Sequence, residues 1–134
     1  AHLALQKNQV VEFISDCEAA MVRANPELVA ILVTNLISNS IKYTGPGGEV
    51  RITVAENNDN VFLRVGDSGP GVPKELHGKI FDRFYRCNPG DGKGAGLGLS
   101  IVNRIAHIHG AGIQAGQDQE LGGLEVTVVF PRLQ

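Results

Sequence analysis

The sequence predicts an α/β two-layer sandwich, with one mixed, mostly antiparallel sheet and helices on one face. Three observations carry this. Short alternating apolar runs come in pairs around polar turns, as hairpins do. Two longer stretches carry helical periodicity instead. The helices are interleaved with hairpins rather than alternating strictly with strands, which suggests two layers.

Each element has its own reason. "VVEFI" at 10–14 reads as a first strand and "AAMV" at 19–22 as a second. Asn25-Pro26 is a break, and proline suits a first helical turn, so a helix runs from there to Tyr43. "GPGG" at 45–48 ends it. "VRITV" at 50–54 and "VFLRV" at 61–65 alternate around the turn "ENNDN" and form a hairpin. A loop covers 67–71, a short helix 73–81, and a glycine-rich charged loop 82–96. A second long helix covers 97–109. Closing strands at 113–115 and 124–130 are joined by a polar turn.

The chain has 134 residues, 43% of them apolar, which is one domain with one core. No internal repeat or domain boundary interrupts 1–134. The net charge of −2 gives no whole-chain attraction to nucleic acid or to an anionic membrane. Cys17 and Cys87 fit no zinc or redox spacing and read as free thiols. No apolar run nears the ~18 residues that span a bilayer, and no signal-peptide pattern is present.

The stretch "LVAILVTNLISNSIKYT" at 28–44 is the most informative. On a wheel of ~100° per residue, Leu28, Leu32 and Leu36 mark the side that should face the sheet. Asn35 and Asn39 fall within about 20° of Leu28, and Lys42 within about 40°. Thr34, Ser38 and Ser40 point elsewhere. An unpartnered buried carboxamide costs roughly 1–3 kcal/mol, so something must pair with these groups. Loops or buried water could do so. The spacing i, i+4, i+7 instead lines two carbonyl oxygens and an ammonium on one rail, which suits a hard cation together with phosphate oxygens.

The loop "GDGKGAGLG" at 90–98 suggests phosphate as well. It is not a P-loop, because Cys87 stands six residues before Lys93 and Gly94 follows it. Pro89 argues against the strand that a dinucleotide fingerprint should follow. What survives is a glycine backbone that can approach an anion and a helix N-terminus aimed at it; simple loop flexibility is the alternative. "DSGPGV" at 67–72 follows a strand. There Asp67 can accept hydrogen bonds, and Gly69 and Gly71 allow a tight backbone beside a flat ligand.

In order, the chain carries Asn35-x3-Asn39-x2-Lys42-Tyr43, Asp67-x-Gly69-x-Gly71, Phe81-x2-Phe84-Tyr85-Arg86 and Gly94-x-Gly96-x-Gly98-Leu99. This closely resembles the N, G1, F and G2 boxes of the ATP-binding catalytic domain of bacterial two-component sensor histidine kinases, in the GHKL superfamily. "GGLEVTVVFP" is similar to that family's last strand. The resemblance implies ATP and Mg²⁺ as cofactors and the GHKL fold. It implies that Asn39 coordinates Mg²⁺ with help from Asn35, that Lys42 contacts phosphate oxygens, and that Tyr43 lines the nucleotide's flank. It assigns Asp67 to the adenine amino group, with Gly69 and Gly71 leaving room for the base. It makes 82–96 an ATP lid, in which Phe84, Arg86 and Gly94 meet the nucleotide, and it lets Gly96, Leu97 and Gly98 bring the next helix to the phosphates; Lys93 is a candidate phosphate contact by its charge and its place in that loop alone. Asn39 and Lys42 are the implied catalytic residues. Ser40 departs from the family's usual alanine, and Ala95 from its threonine or serine.

ATPase relatives in the superfamily place at the position of Asn35 a glutamate that activates water. Asparagine cannot act as a general base near pH 7, so the γ-phosphoryl group is kept for another nucleophile. None of His2, His77, His107 and His109 sits in the family's acceptor pattern. The resemblance therefore implies a catalytic domain that phosphorylates a histidine on a dimerisation domain of the same parent, with a response regulator downstream. Residues 1–7 would be a remnant of the preceding helix. The piece itself would be monomeric and cytoplasmic, with a parent in the inner membrane. A nucleotide-binding interaction module of the anti-sigma type and a GHKL ATPase are the alternatives.

Overall fold

The computed structural model describes residues 9–15, 21–82 and 98–133. Among these described residues five strands form one sheet in the order β1-β2-β3-β5-β4. They are β1 (Val10–Ser15), β2 (Glu49–Glu56), β3 (Asn60–Asp67), β4 (Gly112–Gln117) and β5 (Leu124–Pro131). β1 runs parallel to β2, and every other pairing is antiparallel. Two helices, α1 (Pro26–Tyr43) and α2 (Gly98–Ile108), lie on one face. The two-layer expectation is met.

Strand alternation builds the core. Val50 and Ile52 of β2, Val61, Leu63 and Val65 of β3, and Val126, Val128 and Phe130 of β5 point to the helix side and are buried. Leu32 and Leu36 of α1 and Leu99, Val102, Ile105 and Ala106 of α2 close on them. A period of two meets a period of 3.6, which is how a sheet and helices share one core.

Local chemistry sets the ends of α1. The Asn25 side chain accepts from the Glu27 and Leu28 N–H groups at 3.0 and 3.1 Å, and Pro26 opens the first turn. At the other end, the Gln9 amide donates to the carbonyls of Ile41, Thr44 and Gly45, closing carbonyls that the helix cannot pair. His109 joins the two helices: its Nδ1 donates to the Ile105 carbonyl and its Nε2 accepts from the Asn25 N–H. Its role is structural.

Two expectations need correction. Met21 and Val22 lie in no strand, and Ala19 and Ala20 fall outside the described residues. The helix expected over 73–81 is only a 3₁₀ turn, Lys74–Leu76, followed by further turns. Pro73 and Gly78 bracket too few residues for an α-helical nucleus to repay its entropy. Cys17, Cys87 and His2 also lie outside the described residues.

Candidate functional site

α1 forms one wall of the site. Its buried row is Leu32, Leu36 and Ser40, centred on Leu36 rather than on Leu32, and Ile41 near the helix end is buried as well. The sheet-facing direction thus lies about 40° further round the wheel than the row of Leu28, Leu32 and Leu36. This leaves Asn35 and Asn39 half-buried at the rim of the stripe, carries Lys42 out to an exposed position, and brings Ser40 inside. The rail of Asn35, Asn39 and Lys42 exists, but it borders the core rather than entering it. Leu28 lies where the helix starts, and the sheet grips the helix nearer its middle.

Asp67 closes β3 and is 4% exposed. Its Oδ1 accepts from the Gly69 N–H at 3.0 Å and the Leu124 N–H at 3.2 Å. Its carbonyl accepts from the Gly123 N–H at 2.9 Å. Burial pushes the carboxyl up from its ordinary value of 3.8; the two backbone N–H bonds pull it down, the charge of Asp118 pushes it up, and a side-chain hydrogen bond with Ser40 pulls it down. Loss of solvation is the larger influence.

Three contacts fold the motifs onto α1 in sequence. Near the middle of the helix, a Cβ on Gly98 would stand 3.5 Å from Asn35 Oδ1, so the first residue of α2 abuts the first amide. The Asn35 Nδ2 donates to the Ile31 carbonyl at 2.8 Å, which fixes the direction of the amide. One turn later, Ser40 meets Asp67. At the C-terminal end, a Cβ on Gly69 would fall 2.9 Å from the Tyr43 carbonyl, so the loop after Asp67 rests on the helix end and requires glycine. From Asn35 to Tyr43 is eight residues, or about 12 Å of helix. The groove thus has an anion-favouring helix N-terminus at one end and a buried carboxylate at the other. Gly71, at φ +75°, turns the chain away beyond it.

Asn35, Asn39, Tyr43, Asp67, Gly69, Gly71 and Gly98 are brought to this groove, with Lys42 on its exposed edge. Phe84, Arg86, Lys93, Gly94, Gly96 and Leu97, and with them nearly all of the expected lid, lie outside the described residues. Among the described residues, a cavity of about 720 Å³ lies against α2 and one of about 620 Å³ lies between the loop at 70–77 and the β4–β5 turn; neither is lined by Asn39 or Asp67. Among the described residues no group of three or more His, Cys, Asp or Glu could hold a metal. A metal here would need carboxamide oxygens and its ligand's own phosphates, and the amide pair suits Mg²⁺ in that way.

Sequence reasoning missed four residues. Ser40 points away on the helical wheel, yet it pairs with Asp67. Gly123 lies so close that a Cβ would come 2.2 Å from Asp67 Oδ1. Gly66 and Asp118 meet beside it. The signal for Gly122 and Gly123 was present as a glycine pair, but only sheet pairing shows which strand end they face.

A family model described as histidine kinase-, DNA gyrase B- and HSP90-like ATPase matches residues 24–134, and the chain belongs to that family. Among its relatives, it is 45% identical over 104 residues to the sensor protein kinase PmrB of Pseudomonas aeruginosa, covering 77% of this chain and 22% of that protein. It is 39% identical over 127 residues to the sensor protein QseC of Escherichia coli K12, covering 95% of this chain and 27% of that one. The chain therefore spans about a quarter of the length of these relatives. The solved catalytic domain of histidine kinase ThkA aligns with TM-score 0.84 at 32% identity, over 98% of this chain and 85% of that one. The mycobacterial sensor histidine kinase MprB aligns with TM-score 0.84 at 25% identity, over 98% and 87%. The fold is that of an ATP-binding catalytic domain of the sensor histidine kinase type.

Proposed function

We propose that this domain binds Mg-ATP in the groove along α1 and transfers the γ-phosphoryl group to a histidine on a dimerisation domain of its parent protein. The observation that carries the proposal is the ordered convergence of Asn35 with Gly98, Ser40 with Asp67, and Tyr43 with Gly69 on one helix. Asp67 accepts from the adenine amino group, and Gly69 and Gly71 keep side chains out of the base's place. Asn39, with Asn35, holds the metal through carboxamide oxygens. The metal supplies charge neutralisation on the phosphates. Lys42 adds a positive charge from the open edge, and the N-terminus of α2 at Gly98 offers N–H groups to phosphate oxygens. Residues 82–96 act as the lid, with Phe84, Arg86, Lys93 and Gly94 facing the nucleotide and Gly96 and Leu97 leading into α2.

In the transfer, a histidine nitrogen of the acceptor forms a bond to the γ-phosphorus as the bond to the bridging oxygen breaks, and ADP leaves. Such chemistry needs positioning and charge neutralisation more than a base. Asn35 cannot deprotonate water, which preserves the phosphoryl group for the histidine.

The parent is a sensor kinase like the relatives PmrB and QseC, with this domain on the cytoplasmic side. A response regulator takes the phosphoryl group onward. One solved relative, ThkA in complex with the response regulator protein TrrA, aligns with TM-score 0.81 at 29% identity, over 98% of this chain and 36% of that one.

The test supplies γ-labelled ATP, Mg²⁺ and the separate acceptor domain. Label should pass to the acceptor and not accumulate on this chain alone. Asn39→Ala should abolish the transfer while the circular dichroism spectrum is kept. Full transfer by that variant would remove Asn39 from the metal site.

A further inference from the structure

The β4–β5 turn reaches back across the sheet to the end of β3. Asp118 opens it and is 6% exposed. Its Oδ1 accepts from the N–H groups of Glu120 and Leu121 at 2.9 and 2.8 Å. Its N–H donates to the Gly123 carbonyl and its carbonyl accepts from the Gly122 N–H, both at 2.8 Å. Gly122 takes φ +90°, which glycine adopts without strain. The Asp118 side chain lies across Gly66: a Cβ there would come 1.9 Å from its Oδ2. Glu120, two residues on, pairs with Arg51 of β2, the strand neighbour of Gly66.

The turn is therefore fastened at Asp118 and delivers two N–H groups to Asp67. Gly123 donates to the Asp67 carbonyl, and Leu124 donates to Asp67 Oδ1. These bonds fix where Asp67 stands and which way its carboxylate faces. Gly66 and Gly123 are the two places where a side chain would force the turn and β3 apart.

We propose that Asp118 is a positioning residue: by capping the β4–β5 turn and seating it on Gly66, it aims the Asp67 carboxylate and thereby sets selectivity for a purine that carries a 6-amino group. This rests on the reading of Asp67 as the base acceptor. Asp118 touches no nucleotide. Its effect falls on discrimination between bases, because only the base end of the groove depends on the angle of Asp67. The phosphate end is built from Asn35, Asn39 and Gly98 and does not involve the turn.

The experiment measures binding of ATP and of purine riboside triphosphate, which lacks the 6-amino group, by calorimetry with Mg²⁺ present. The unaltered chain should prefer ATP by about tenfold or more, the scale of one well-placed hydrogen bond to a charged acceptor. Asp118→Ala should lose most of that preference and keep its affinity for the analogue within about threefold. Asp118→Asn retains the acceptor for Glu120 and Leu121 and should keep the preference. Gly66→Ala displaces the Asp118 side chain without removing it and should reproduce the loss, which covers the case of Asp118→Ala failing to fold. Equal weakening towards both nucleotides in Asp118→Ala and Gly66→Ala would overturn the proposal, since a general structural defect behaves so. Asp67→Ala separates the two readings. If it keeps the preference for ATP, the base-acceptor reading falls. If it loses the preference while Asp118→Ala and Gly66→Ala keep it, only the positioning role falls.

Discussion

Asp67 meets opposing demands. Its carboxylate is buried, which penalises the charge, yet a base-amino donor is best met by the ionised form. Burial raises its pKa against the pull of the Gly69, Leu124 and Ser40 hydrogen bonds. A raised folded-state value means that the native chain holds its proton longer than the unfolded chain does. The contribution of Asp67 to stability is then fully present below the ordinary value of 3.8 and is lost as pH rises through the folded-state value. Asp67→Asn keeps an oxygen for the two backbone donors and removes the charge. Without nucleotide, its urea midpoint should gain on the unaltered chain as pH rises above that ordinary value. Curves that stay parallel would mean that burying this charge costs nothing. At the same pH the variant should bind ATP more weakly, so stability and binding move in opposite directions. Glu125 is also raised by burial, then by the charge of Asp118, and contributes slope of the same sign.

The element that matters most is α1, because every part of the site is measured from it. The side chains flanking Leu36 do different work. Leu36 is buried against the sheet, and Asn35 and Asn39 ride together on one flank of it at the rim. Removing three carbons there leaves a cavity between helix and sheet. Leu36→Ala should cost about 2–5 kcal/mol in chemical denaturation, at the usual scale for a buried leucine. A cost under about 1 kcal/mol would show that α1 is not held by this row. The periodicity of α1 was legible in the sequence, and so were its cap at Asn25 and its stop at 45–48. Its rotation was not. A wheel gives relative angles only, and the direction of the core depends on where along the helix the sheet makes contact. For that reason the wheel puts Ser40 outside and Lys42 inside, and the structure reverses both.

At the scale of the whole molecule, the groove is made by parts far apart in sequence: the middle and end of α1, the loop after β3, the start of α2 and the β4–β5 turn. A ligand held in a groove assembled this way should bind only the folded chain and so stabilise it globally. Mg-ATP at 100 times its dissociation constant should add about 2.7 kcal/mol to the unfolding free energy. Thermal unfolding with and without Mg²⁺ checks this. A melting temperature unmoved by saturating nucleotide would contradict binding across the groove.

Local physics was enough to write most of the fold from the sequence: alternation for β2, β3 and β5, a helical period for α1 and α2, and glycine and proline for the breaks. The ordered motifs also named Asn35, Asn39, Lys42, Asp67, Gly69, Gly71 and Gly98, because chemistry at fixed spacing survives without coordinates. Tertiary structure alone decided the rotation of α1, the pairing of Ser40 with Asp67, and the seat of Asp118 on Gly66 beneath the turn that holds Gly123 to β3. These are contacts between residues distant along the chain. They are set by sheet order and close packing, and no local pattern encodes which strand end a turn will meet.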